Sequence, residues 1–314
     1  MSILESFFRW IVEVSWQASI LAIAVLAIQW VFRPWINPRW RHALWLLVLI
    51  RLVLPIVPES SISGHAWIPA PIELFTPEGP VLPSSVAEIA PNYLESIRRS
   101  PSPTPLTTFQ IMAFLWLGGA VLGLSIVIGV NAAFYQHLRR LPPIGDPRLQ
   151  GIFQKALLEL GIKTPPSLLV TNRVSSPVLM GFFRPAILLP DHELQNYSDS
   201  ELRLILLHEL AHLKRGDLLI QWMLSLMKIL HWFNPVLWFA FRRIRIDREP
   251  ATDAFVLSHS GEQFKESYGL ALLKVLENHQ KRHALPSMVG ILEDKSELQS
   301  RFRLISLFNQ KAYA

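Results

Sequence analysis

The sequence predicts an α+β membrane protein in which three transmembrane helices precede a mostly helical domain with a small edge-strand sheet. The first observation behind this is compositional. Of 314 residues, 51% are hydrophobic and only 17% charged, with a mean hydropathy of +0.30, whereas an ordinary soluble domain carries about 25% charged residues. Second, three long apolar stretches fall before residue 132. Third, the pattern beyond changes to amphipathic segments around short strand-like runs. The chain has no cysteine, which excludes a disulfide scaffold, a thiol nucleophile and any Cys-ligated zinc or iron-sulfur site.

The first span covers about residues 10–32, with Trp10 and Trp30 near its ends as interface anchors. Ending in Phe32, Arg33 and Pro34, it lacks the small-residue cleavage site of a signal peptide. The second span, about 43–58, contains Arg51, and the third, 108–131, is uncharged and Gly-rich. Arg33, Arg39 and Arg41 in the link between the first two place that link in the cytoplasm. Residues 59–107 then form a Pro-rich extracytoplasmic loop holding Glu59, Glu73, Glu78, Glu88 and Glu95 against Arg98 and Arg99. Arg139 and Arg140 mark the return inward. Arg51 inside a span needs a partner. Glu13 lies at a similar expected depth, the alternative being that Arg51 snorkels to the outer interface.

Residues 1–131 carry seven basic and seven acidic residues, so the whole net charge of +6 belongs to the cytoplasmic half, 132–314. No nucleic-acid-binding motif accompanies it. The partner expected for Arg242, Arg243, Arg245 and Arg248 is the anionic leaflet of the bilayer. Asp146-Pro147 reads as a helix start and Gly161 as its stop, with Leu149, Ile152, Phe153, Ala156, Leu157 and Leu160 on the apolar face. Strands are expected at 167–171 and 185–189, with 178–183 a further short strand or turn. Pro177, Gly181, Pro185 and Pro190 favour edge positions.

The chemistry concentrates in one helix. Ser198 and Glu201 form a capping box with Tyr197 and Leu202 as its hydrophobic staple, and Gly216 supplies the stop. Within it, His208-Glu209-Leu210-Ala211-His212 places two imidazoles four residues apart on one face, with Glu209 beside them. This is the H-E-x-x-H arrangement of a zinc protease; the bland alternative is a helix with two incidental histidines. Glu249 and Asp253 offer the missing carboxylate ligand and a second carboxylate to orient a histidine. Pro250 pushes Glu249 toward a helix start, and Asp247 is the reserve ligand. Ligands of one metal share one side of the membrane. The apolar segment between the motifs, broken at Asn234-Pro235, is therefore expected to be a membrane-associated hairpin over 217–241 capped by Asp217, or else a buried core hairpin. His231 and Tyr268 are candidate oxyanion donors, with packing as their commoner role. Segments 262–281 and 295–310 read as amphipathic helices that pack around the domain, a homodimer contact being the alternative.

With these residues assembled, the chain resembles the antirepressor membrane metallopeptidases of the BlaR/MecR type. The resemblance rests on SSPVLMGFFRPAILLP, NYSDSELRLILLHELAHLKRGDLL, WFNPVLWFAFRRIRIDRE and the E-x-x-x-D pair. It implies a gluzincin-like domain with Zn2+ on His208, His212 and Glu249, Glu209 as catalytic base and Asp253 behind the ligands. It also implies a multi-pass protein of the cell (inner) membrane cutting a protein at the cytoplasmic face, either a helix-turn-helix repressor or itself. An extended substrate would add to the edge strand at Leu179, Met180, Gly181, Phe182 and Phe183. Two positions depart from the family pattern, Thr252 in place of a common Cys and Pro250. Sensors of this family continue into a fourth membrane helix and a penicillin-binding domain, and with neither before Ala314 β-lactam sensing is not expected. The alternatives are a non-catalytic, zinc-stabilised signal transducer and a housekeeping membrane protease of the HtpX/Ste24 type.

Overall fold

The computed structural model describes residues 3–32, 35–54, 106–142, 144–282 and 295–308. Most of the expected outer loop therefore lies outside the described residues. Helix α1 (Ile3–Val31) starts seven residues earlier than hydropathy suggests. Helix α2 (Pro38–Val53) has proline at its first turn, and α3 (Thr108–Leu138) opens on a complete Thr107–Gln110 capping box and outruns its expected end at 131. Helices α1 and α3 are long and apolar enough to cross a membrane. With 16 residues, α2 extends about 24 Å, short of the ~30 Å of a hydrocarbon core.

The remaining elements are α4 (Pro147–Glu159), strands β1 (Ser167–Thr171), β2 (Val178–Met180) and β3 (Ala186–Pro190), then α5 (Asp199–Arg215), α6 (Asp217–Leu230), α7 (Pro235–Ser260), α8 (Lys265–Arg282) and α9 (Lys295–Ser306). All six apolar-face residues named for α4 are buried, and Asp146 caps it. The sheet order is β1-β3-β2, with β3 parallel to β1 and antiparallel to β2. The expectation of edge positions thus fails for β3, which is central and wholly buried. Its prolines do not object because Pro185 precedes the ladder and Pro190 ends it. Only Val178, Leu179 and Met180 pair as β2; Gly181, Phe182 and Phe183 belong to the turn that follows.

Three apolar assemblies position the site. Helices α4, α5 and α8, strand β3 and the last third of α7 bury one core around Leu206, Leu207, Leu210 and Val256. A second core joins Val14, Ala18, Ala22 and Val25 of α1 to Trp45, Val48 and Leu49 of α2, Leu224 and Met227 of α6, and Leu237, Ala240 and Phe241 of α7. The small residues at 18 and 22 let the helices approach closely. A third, smaller contact seats β2 and β3 under the end of α3, where Leu138 and Leu188 are buried with Phe134, Val178 and Met180 packed on them.

The α6–α7 hairpin therefore packs among α1, α2 and α3, not in the core around α5. Its turn is tied down: Asn234 Nδ2 donates to Ser19 Oγ at 2.9 Å, His231 Nδ1 lies 2.7 Å from Ser15 Oγ, and Trp116 Nε1 donates to the Leu230 carbonyl at 2.8 Å. Three expectations are corrected here. The cap of α6 is Gly216, not Asp217. The second arm is no short piece but a 26-residue helix running through Pro250, so Glu249 sits in a helix interior. Burial of α7 on both sides of Pro250, from Leu237 to Leu257, outweighs the loss of one backbone hydrogen bond. Nor do Glu13 and Arg51 pair directly. Gln17 lies between them, accepting from Arg51 and donating to Glu13 at 3.4 Å.

Candidate metal centre

Helix α5 holds its motif in register through caps at both ends. Ser198 Oγ accepts from the Glu201 amide while the Glu201 carboxylate accepts from the Ser198 amide. At the other end Gly216 takes φ +75°, a left-handed turn that sends the chain back along the helix. His208 and His212 then stand edge to face, ring centroids 4.8 Å apart. From α7, Glu249 Oε2 approaches His208 Nε2 at 3.5 Å and His212 Nε2 at 3.7 Å. Ligand atoms on a tetrahedral zinc are separated by about 3.3 Å, so these donors fit a Zn2+ ion. They form the group of metal-competent side chains found among the described residues.

The partners behind the histidines set their tautomers. A carboxylate only accepts, so the 2.7 Å contact from His212 Nδ1 to Asp217 Oδ2 places a proton on Nδ1 and leaves Nε2 facing Glu249. Behind His208, Nδ1 lies 2.7 Å from the Tyr268 hydroxyl, which donates at 2.7 Å to Asp253 Oδ1. Asp253 is also gripped by the Arg301 fork at 2.7 and 3.0 Å. Asp253 thus reaches His208 mainly through the tyrosine. Thr252, completely buried, donates to the Arg248 carbonyl at 3.1 Å and lies 3.3 Å from Asp217 Oδ2. At this position a hydroxyl supports the histidine's partner.

Electrostatics follow from these contacts. Burial pushes the Glu249 carboxyl up, but His212, His208, Arg248 and Arg301 hold it well below the usual carboxylate range. Burial opposes ionisation of Asp253 too, and Arg301 and His208 overcome it, bringing its pKa to about 2. In the metal-free site burial lowers the His208 pKa, while the hydrogen bonds and charges of Asp253 and Glu249 raise it to about 9.

Glu209, buried beside the histidines, accepts from the Leu179 amide at 2.8 Å. Leu179 is thus at a position of the ladder whose N–H is not spent on β3 but points out of the open side of β2. Of the residues foreseen on the edge strand, Leu179 meets the site, and Phe182 and Phe183 do not join the ladder. Asp247, the reserve ligand, is committed elsewhere, accepting from Trp45 Nε1 at 2.8 Å and Arg41 at 3.1 Å. Neither proposed oxyanion donor faces the centre with a free proton: Tyr268 is used between His208 and Asp253, and His231 lies at the hairpin turn against Ser15. Of the arginines assigned to lipid, Arg248 is bonded to Glu249 at 3.1 Å and Arg243 lies 3.7 Å from Asp247.

Sequence reasoning missed the roles that three residues play in the centre. Asp217 follows His212 by five residues across a left-handed glycine, a local signal that could have been read. Tyr268 and Arg301 stand 60 and 48 residues from their partners, and no spacing rule reaches that far.

Comparison with known proteins places the chain beside two relatives. The chain is 29% identical over 171 residues to the regulatory protein BlaR1 of Bacillus licheniformis, covering 54% of this chain and 28% of that protein. It is 23% identical over 283 residues to the methicillin resistance mecR1 protein of Staphylococcus aureus, covering 85% of this chain and 46% of that protein. It thus spans less than half the length of these relatives. The family described as BlaR1 peptidase M56 matches residues 10–305, a range that takes in nearly the whole molecule and every residue of the centre, and the chain belongs to this family.

Proposed function

We propose that the protein is a multi-pass zinc metalloendopeptidase of the cell membrane that cleaves a peptide bond at the cytoplasmic face, in regulatory proteolysis of a helix-turn-helix repressor or of itself. The observation that carries this is the convergence of His208, His212 and Glu249 beside a carboxylate that also touches an open strand edge. Zinc held by the two Nε2 atoms and the Glu249 carboxylate would acidify a water molecule and polarise the scissile carbonyl. Glu209 receives the proton of the attacking water and passes it to the leaving amine. Asp217 and the Tyr268–Asp253 pair keep both imidazoles in the ligating tautomer. An extended substrate pairs with the outward face of β2, competing with Glu209 for the Leu179 amide.

In this reading α1, α2 and α3 cross the bilayer, the short α2 being matched by local thinning of the layer, with the link between α1 and α2 and the zinc centre on the cytoplasmic side, and the hairpin enters from that side and returns. A purely structural zinc site has no use for Glu209, which disfavours the non-catalytic transducer. Comparing the proteomes of cells bearing the wild type and Glu209→Gln tests the proposal. Fragments that vanish in the variant, with zinc content unchanged, are expected; persistence of every fragment overturns the base assignment.

A further inference from the structure

Between β2 and β3 the chain reverses through residues 181–185, and the reversal is tight. Gly181 takes φ +87°, and a Cβ there would lie 2.5 Å from the Arg184 carbonyl oxygen. Reversals of this kind are normally built from Gly, Asn, Asp, Ser and Pro. Here the apex is Phe182-Phe183, with Phe183 92% exposed and the two rings edge to face at 5.0 Å. Neither ring enters the core under the sheet, so packing of the domain does not account for them.

Their surroundings indicate what covers them. Phe182 contacts Trp222 of α6 at 6.1 Å between centroids. Trp222 belongs to an exposed stripe with Leu219 and Leu226, spaced three and four residues apart on one face of the hairpin. On the other side, Val178 and Met180 of β2 pack against the last turns of α3, at Phe134 and Leu138. The turn is thus bracketed by the two elements that run into the bilayer. Arg184, exposed directly after the rings, supplies the cation that commonly accompanies an aromatic pair at an anionic surface.

We propose that Phe182-Phe183 is a membrane-inserting tip whose partner is the acyl-headgroup boundary of the cytoplasmic leaflet, continuing the lipid-facing stripe of α6. This rests on the membrane placement of the hairpin put forward above. It deepens that reading, because β2 then opens at headgroup level and receives a substrate segment lying on the bilayer surface.

The absence of cysteine makes the test direct. Phe183→Cys, Leu226→Cys and Lys163→Cys each give a single labelling site in the full chain, and all three positions are exposed, so folding is spared. Each is labelled with an environment-sensitive dye. The proteins are reconstituted in nanodiscs of phosphatidylcholine and phosphatidylglycerol, with and without a lipid spin-labelled near its headgroup. The 183 and 226 dyes are expected to emit to the blue of the 163 dye and to be quenched several-fold more by the spin label. A 226 dye quenched by lipid beside a 183 dye that behaves like 163 overturns the tip alone. Both dyes in water overturn the hairpin's membrane placement and the tip with it.

Discussion

His212 Nδ1 and Asp217 Oδ2 lie 2.7 Å apart across the left-handed Gly216, so the helix that carries the metal motif is followed at once by the residue that orients its second imidazole. Asp217 is almost wholly buried, and its Oδ2 also faces Thr252 and Arg215. Partners of this kind are worth 10–100-fold in metal affinity. Asp217→Ala should weaken zinc binding by about that factor in competition with a chromophoric chelator. Asp217→Asn should lose less, because Thr252 and Arg215 turn the amide oxygen toward His212 and retain an acceptor there.

Arg301 grips Asp253 with both ends of its fork, and each group is buried. Removing one member of such a pair leaves a charge without compensation, at a cost of roughly 3–5 kcal/mol. Arg301→Ala should lower the unfolding midpoint of the metal-free protein in denaturant by a corresponding amount. Arg301→Lys should recover only part of it, since an ammonium does not reproduce two parallel hydrogen bonds.

The raised His208 pKa of about 9 in the metal-free site makes zinc uptake a proton-exchange reaction. The imidazole must be neutral to ligate, and below its folded-state pKa the protonated form dominates. Zinc affinity should therefore rise with pH by close to tenfold per unit between pH 6.5 and about 9 and then flatten. Calorimetry in two buffers of different ionisation enthalpy should show proton release at pH 7 that fades near pH 10.

Asn234 caps α7 through its side-chain oxygen, which accepts from the Val236 and Leu237 amides at 3.0 and 3.2 Å, while its amide reaches Ser19. Asn234→Ala removes the cap and the link to α1. A loss of about 1 kcal/mol is expected from the cap, read as a lower unfolding midpoint in nanodiscs. Asn234→Asp keeps an oxygen acceptor for the cap but loses the amide donated to Ser19 and adds a carboxylate at the hairpin turn, so it should recover only part of the loss.

What could be read in the sequence was local. The α5 capping box, the Gly216 stop, the spacing of His208 and His212, and the pairing of Glu249 with Asp253 all follow from a 3.6-residue repeat and from the chemistry of helix ends. The misreadings came where a local preference met tertiary packing. Pro250 argued for a helix start, but α7 is held on both sides of it. Pro185 and Pro190 argued for an edge, but they fall outside the buried ladder of β3. Glu13 and Arg51 were matched by depth, and Gln17, one turn from Glu13, came between them. Asp217 was assigned to the helix it begins, whereas its carboxylate serves the helix before it. Tyr268 and Arg301 depended on how α8 and α9 dock, which only the whole core decides.

One consequence concerns α7. From Asn234, where it is pinned to α1, to Glu249 the helix spans about 22 Å, and both points belong to a single rod. A shift of α1 against its neighbours therefore acts on Glu249 directly, like a push on the far end of a lever. Pro250 deletes one rung of the ladder immediately after that carboxylate, so the rod is most compliant where a small displacement alters the cluster of His208, His212 and Glu249 most.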